Sequence, residues 1–156
     1  MKCPLCDKLT RVHQLPDDEL VWQFPFSVAL LGPWQYYTGY CVLISRVHIT
    51  ELHQMPTDVR IAYFEEMIVL SRAIESAFEP RKLNCESLGN QVPHAHWHLF
   101  PRRADDPDHL KPVWLALDRA DRDEEEKRRL QTSPLSRRMI LDRLREALRT
   151  QGAPTP

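Results

Sequence analysis

The sequence has no excess of one charge, no long apolar run and no internal repeat. Its 156 residues include 21 Lys and Arg against 22 Asp and Glu, so no basic field is available to attract nucleic acid or an anionic membrane surface. No apolar run approaches the roughly 20 residues that cross a bilayer, and the N-terminus lacks the apolar segment of a signal peptide. These absences predict a cytoplasmic protein without nucleic-acid or membrane partners.

Length and composition predict one main folded unit with an appended segment. A chain that is 42% hydrophobic can bury one substantial core at this length. After Arg103 the composition changes, because the last third of the chain carries about half of its charged residues. We therefore distinguish residues 1–103 from a charged, partly helical C-terminal extension, residues 104–156. This extension either belongs to the same compact unit or forms a tail.

The hydrophobic pattern predicts an α+β fold. Residues 28–31 and 40–44 are continuously apolar, as in central strands that are covered on both faces. Residues 58–78 have a rough 3.6-residue period and predict one long helix that ends before Pro80. A further strand is expected around residues 82–86, and residues 135–148 predict a short amphipathic helix.

Three histidines alternate with apolar residues in the segment His94-Ala95-His96-Trp97-His98. Alternation with a period of two is typical of a strand, so the imidazoles share one face. Neighbours on that face are about 6.6 Å apart, whereas a metal–imidazole bond is only about 2 Å long. Two adjacent histidines could therefore share a metal ion, but all three could not.

The chain begins with a Cys-x-x-Cys pair, Cys3 and Cys6. In a reducing compartment this spacing indicates a metal or redox pair more often than a disulfide. A thioredoxin-like site needs a preceding strand, for which six residues leave no room. Zinc would need two further ligands from elsewhere in the chain. The alternative is a turn with two free thiols.

Residues 94–102, His-Ala-His-Trp-His-Leu-Phe-Pro-Arg, resemble the signature of the histidine-triad (HIT) family, His-φ-His-φ-His-φ-φ with φ apolar. Residues 39–52 are similar in spacing to the family's Gly-His-x-Leu-Val-x-Pro-Lys-Arg-His segment, with Tyr40 where histidine is common. The resemblance implies a HIT-like twisted, mainly antiparallel sheet with one long helix on a face. It also implies a homodimer.

The resemblance further implies site residues. In the zinc-containing branch, the histidines that match His48 and His94 are metal ligands, so Cys3 and Cys6 would complete a closed structural zinc site. His96 would be the nucleophile, with His98 and His94 bordering the phosphate. The loop before the triad would contribute to substrate binding, and so would an asparagine on the preceding strand. The corresponding residues are Gly89, Asn90, Gln91 and Asn84.

The implied activity is hydrolysis of a nucleotide phosphoanhydride or phosphoramidate at its α-phosphate, as in a dinucleoside polyphosphate hydrolase. Transferase relatives typically carry glutamine at the position of His98, and only an imidazole can exchange a proton there. Three alternatives stay open: a nucleotidyltransferase of the same family, a non-catalytic zinc-stabilised nucleotide-binding module, and a catalytic zinc ion bound by both His94 and His96.

Overall fold

The computed structural model describes residues 3–156. Its centre is a five-stranded sheet in which all four neighbouring pairs are antiparallel. The strand order is β1-β2-β3-β5-β4, so β5 is paired on both sides. The strands are β1 (Leu20–Gln23), β2 (Ser27–Leu31), β3 (Cys41–Ser45), β4 (Lys82–Glu86) and β5 (His96–Arg102). A strand held by two ladders has a fixed register, and β5 carries two of the three triad histidines.

Five α-helices flank the sheet: α1 (Pro4–Thr10), α2 (Thr57–Phe78), α3 (Val113–Ala120), α4 (Glu124–Gln131) and α5 (Arg137–Thr150). The expected α+β fold, with a mainly antiparallel sheet and one long helix on a face, is confirmed. Among the helices described for residues 3–156, none combines the length and apolar character that a membrane span requires.

One face of the sheet packs against α2 and α5. Its apolar side chains include Leu43 and Trp97, which lie opposite each other in the β3–β5 ladder. Burying a large apolar side chain contributes about 1.5–3 kcal/mol, so this layer supplies much of the stability of the sheet. The buried hydroxyl of Tyr63 on α2 donates a hydrogen bond to the carbonyl oxygen of Leu43 at 2.9 Å. The helix is therefore fixed to the middle of β3.

The opposite face carries the triad and is covered only at its two sides. At one side, Leu5 and Leu9 of α1 pack on Val28 and Leu30 of β2. At the other side, α3 forms a second small core with residues on the strands and the loop before β3, namely Tyr37, Tyr40, Phe100, Val113 and Leu117. The aromatic residues of that loop therefore take part in a core.

The chain beyond residue 103 is attached to the sheet by buried polar contacts. Arg102 is 3% exposed and forms an ion pair with the buried Asp106, with 2.8 Å between Nη2 and Oδ2. Its guanidinium also donates to the carbonyl oxygens of Asp108 and Lys111 at 2.6 and 2.8 Å. On α5, Arg137 donates to the carbonyl oxygen of Gly32 at 3.0 Å. These contacts fix the extension relative to β2 and β5.

Candidate active site and metal site

The triad lies where β5 meets β3 and β4. His96 pairs with Ile44 of β3, and His98 pairs with Val42 of β3 and with Glu86 of β4. Cross-strand partners point to the same face, so both imidazoles lie on the face that α2 does not cover. His94 precedes the strand and is completely buried.

His96 is held in one orientation by the main chain. Its Nδ1 lies 2.6 Å from the carbonyl oxygen of His94. A carbonyl can only accept a hydrogen bond, so in neutral His96 the proton is on Nδ1 and the lone pair is on Nε2. The side chain is 8% exposed. The structure therefore presents a fixed, unprotonated nitrogen at the centre of the triad face.

His98 is surrounded by aromatic rings. Its Nε2 lies 3.1 Å from Nε2 of His96, and its Nδ1 lies 2.8 Å from the hydroxyl oxygen of Tyr40. Its ring is stacked 5.8 Å from Phe100 and meets Trp114 edge-on at 5.0 Å. Burial, together with the charge of His96, lowers the pKa of His98 to about 4. The imidazole is therefore neutral near pH 7.

Two cysteines and two histidines from three distant parts of the chain form one cluster, namely Cys3, Cys6, His48 and His94. Nδ1 of His94 lies 3.2 Å from Nδ1 of His48, and it lies 3.4 and 3.5 Å from the sulfurs of Cys3 and Cys6. Sγ of Cys6 is 3.2 Å from Nδ1 of His48. All four ligand atoms lie within 4.8 Å of one another.

These distances match the edges of a zinc coordination tetrahedron. With metal–nitrogen bonds of about 2.0 Å and metal–sulfur bonds of about 2.3 Å, the nitrogen–nitrogen edge is about 3.3 Å and the nitrogen–sulfur edge about 3.5 Å. Nε2 of His94 donates to the carbonyl oxygen of Ser45 at 2.8 Å, which leaves the lone pair of Nδ1 for a metal ion. The residues therefore fit a four-coordinate zinc ion.

Both ring nitrogens of His94 are thus occupied, one by the main chain and one by the cluster. The contact of His94 with His96 is made by its carbonyl group instead. His96 itself directs Nδ1 at that carbonyl and Nε2 at His98, so neither nitrogen faces the cluster. This geometry disfavours a metal ion shared by His94 and His96.

The expected substrate-binding residues occupy two places. Gly89 has a positive φ of 73° and lies, with His94, around a cavity of about 260 Å³. Asn90 and Gln91 follow it as exposed residues. Asn84 lies on β4 opposite Phe100, on the triad face, and its Oδ1 accepts a hydrogen bond from Arg102 at 3.0 Å. This bond orients the Asn84 amide and leaves its nitrogen without a protein partner among the hydrogen bonds of the described residues, so that nitrogen can donate to a ligand.

Two residues of the site were not assigned to it from the sequence. Trp114 on α3 lies against His98. Its indole nitrogen donates to the carboxylate of Glu86. Glu86 could have been found from strand register alone, because it pairs with His98 across the β4–β5 ladder.

Comparison with known proteins agrees with this site. The family model of the HIT domain matches residues 13–105, and the chain belongs to the histidine-triad family. The curated "Protein hit" of Bacillus subtilis strain 168 is 30% identical over 87 residues, which is 53% of this chain. The match spans only 60% of that relative's length.

Solved structures support the fold. A zinc-bound histidine triad family protein from Mycobacterium smegmatis superposes with a TM-score of 0.68 at 17% identity, covering 98% of this chain and 97% of the other. A hypothetical histidine triad nucleotide-binding protein from Sulfolobus tokodaii strain7 gives 0.67 at 17% identity, covering 95% and 93%. A histidine triad protein from Marinobacter aquaeolei VT8 gives 0.64 at 23% identity, covering 88% and 94%.

Proposed function

We propose that this protein is a nucleotidyl hydrolase that cleaves a phosphoanhydride or phosphoramidate at the α-phosphate through a nucleotidyl-His96 intermediate. The observation that carries the proposal is the hydrogen bond from Nδ1 of His96 to the carbonyl of His94. It leaves the Nε2 lone pair of a fixed imidazole free to attack. A nucleophile of this kind divides a difficult displacement into two easier ones.

In the first step, Nε2 of His96 bonds to the α-phosphorus and the bond from phosphorus to the leaving group breaks. The leaving group departs with the bonding electron pair and takes a proton from solvent or from a neighbouring acid. In the second step, water attacks the phosphorus, its proton passes to solvent, and the P–N bond breaks with its electron pair returning to Nε2, which restores neutral His96 and releases the nucleotide. The presence of His98 favours a hydrolase over a transferase, because transferases of the family typically carry glutamine at this position.

Zinc at Cys3, Cys6, His48 and His94 would be structural in this proposal. Its coordination would hold the start of β5 in register beside His96 and would fix the start of α1 against the sheet. The cluster lies apart from the two nitrogens of His96, as described above. Free thiols for metal binding require a reducing compartment, which supports a cytoplasmic location.

We also propose a homodimer that forms through α2. Three large apolar side chains, Ile61, Phe64 and Ile68, follow one another at helical spacing and are 59%, 37% and 37% exposed. Large exposed apolar patches commonly mark protein–protein contacts. The neighbouring strand β4 lies at the edge of the sheet and has unpaired main-chain groups on its outer side.

The test is turnover by the full chain and by a His96→Ala variant. Dinucleoside polyphosphates, nucleoside phosphoramidates and nucleotide sugars should be screened as substrates, with a phosphorylated acceptor added in parallel to detect transfer. We expect His96→Ala to lower kcat about a thousand-fold or more, because losing a nucleophile removes the covalent route. Mass spectrometry after a quench that avoids acid should detect the nucleotide on His96 in a variant with slow hydrolysis.

His13→Ala is the matched control, since His13 is exposed in the short turn Val12–Gln14 after α1 and its replacement also removes one imidazole. The His13→Ala variant should turn over the substrate at the same rate as the unaltered protein. Near-normal turnover by His96→Ala would contradict covalent catalysis at this residue. Binding without turnover of any substrate class would instead favour a nucleotide-binding module.

A further inference from the structure

Tyr40 is a buried residue in direct contact with the triad. It immediately precedes β3, is 3% exposed, and its ring is stacked on Phe100 with 4.0 Å between centroids and 10° between planes. The ring also packs closely on Gly32, where any added Cβ would collide with it. These neighbours fix the ring, so its hydroxyl oxygen is held 2.8 Å from Nδ1 of His98.

The carbonyl of His94 determines which atom donates in each hydrogen bond of the chain from His94 through His96 and His98 to Tyr40. The carbonyl of His94 can only accept, so His96 carries its proton on Nδ1 and an unshared pair on Nε2. The facing Nε2 of His98, at 3.1 Å, must then be the donor. A neutral imidazole has one proton, so Nδ1 of His98 is an acceptor and the hydroxyl of Tyr40 donates to it. Burial raises the pKa of Tyr40, which keeps its hydroxyl protonated.

We propose that Tyr40 is a positioning residue: its hydroxyl anchors Nδ1 of His98, so that the proton on Nε2 of His98 keeps facing the reaction centre. This inference rests on the proposed function, in which Nε2 of His96 attacks the phosphorus. Once a phosphate takes up that lone pair, the N–H of His98 is free to donate to a phosphate oxygen beside the new bond. The phenol acts only through His98 and needs no contact with the substrate. If the proton were on Nδ1 of His98 instead, the lone pair of Nε2 would face the negatively charged phosphate.

The first test reads the tautomer without turnover. Zinc-loaded full-length protein with ¹⁵N-labelled histidine should be compared with Tyr40→Phe by long-range ¹⁵N–¹H correlation at pH 7.5. In the unaltered protein, His98 should show a protonated Nε2 and an acceptor-type Nδ1. In Tyr40→Phe the ring stack remains and His96 still accepts from Nε2 of His98, but the hydroxyl is lost. The Nδ1 signal of His98 should therefore move to the shift of an acceptor without a hydrogen bond, while Nε2 stays protonated.

Tyr63→Phe is the matched control. It removes a buried hydroxyl that donates to the carbonyl of Leu43, on the other face of the sheet, so it should lower stability without altering the His98 spectrum. A proton on Nδ1 of His98 in the unaltered protein would overturn the proposal, and so would an unchanged spectrum in Tyr40→Phe. The spectrum of the unaltered protein decides this even if Tyr40→Phe does not fold.

The second test is kinetic. On the substrate found in the screen, Tyr40→Phe should lower kcat roughly 10-fold, which corresponds to about 1.4 kcal/mol, and should change KM less than two-fold. Tyr63→Phe should leave both constants within two-fold. A rise in KM with an unchanged kcat would mean that Tyr40 supports ground-state binding and would contradict the positioning role. If no substrate is turned over, the spectra still decide the tautomer, so the two proposals fail separately.

Discussion

His98 should make the folded protein less stable as the pH falls below 6.5. Its pKa is about 4 in the folded protein, against 6.5 for an ordinary histidine, chiefly because of burial and also because of His96. The unfolded chain therefore binds a proton more readily than the folded one, and stability falls with pH wherever that is so. The loss begins near pH 6.5 and is complete near pH 4.

The magnitude follows from the two pKa values. Since the pKa falls from 6.5 to about 4, the full difference corresponds to at most about 3.4 kcal/mol, at 1.36 kcal/mol for each pKa unit. Integrated over pH, the loss attributable to His98 should be about 1.4 kcal/mol at pH 5.5 and about 2.5 kcal/mol at pH 4.5. These values are upper limits, since solvent reaches part of the ring.

The assay compares the full chain with His98→Gln, whose amide keeps a donor but takes up no proton in this range. Urea unfolding should be measured between pH 7.5 and 4.5 for both proteins. The other titrating groups around the ring, His96, Tyr40 and Glu86, are present in both, as is the zinc cluster. As the pH falls, the unfolding free energy of the unaltered protein should therefore decrease more than that of His98→Gln. Parallel curves for the two proteins would refute the reasoning.

Two further changes test the metal site and the interface. Cys3→Ser should reduce the zinc content from about one ion per chain and lower the Tm, since binding of a structural metal contributes directly to folding. Elemental analysis measures the zinc content and thermal unfolding measures the Tm. A variant that retains its full zinc content would contradict the role of Cys3 as a ligand. Phe64→Glu should convert the proposed dimer into monomers by placing a charge among the exposed apolar side chains of α2, as judged by light scattering after size-exclusion chromatography. Leu110→Glu, at a side chain that is 87% exposed elsewhere, should leave the assembly unchanged.

The sequence contained the local features of the fold. The 3.6-residue period predicted a helix over residues 58–78, and α2 spans Thr57–Phe78. The alternation of histidine with apolar residues predicted the strand that carries the triad, which begins at His96. Such patterns are visible because each depends on neighbours in the chain that share one buried face.

Features that depend on distant residues were harder to predict. Cys3 and His94 are 91 residues apart, and no spacing rule joins them, so their association was expected only from the family resemblance. Helix α1 has seven residues and was not predicted, because so short a helix is marginal by itself. It is stabilised where Leu5 and Leu9 pack on β2. The contact of Trp114 with His98 depends on how the extension folds back.

Arg102 has a consequence for the size of the unit that unfolds cooperatively. The shared family sequence ends at residue 105, yet this buried guanidinium finds its carboxylate at Asp106 and a further acceptor at the carbonyl of Lys111. A chain shortened to the family region would leave a charge in the interior without its counter-ion, which costs several kcal/mol. The end of the region that the family model matches therefore lies inside one polar network, and we expect the sheet and the segment beyond it to unfold in a single transition.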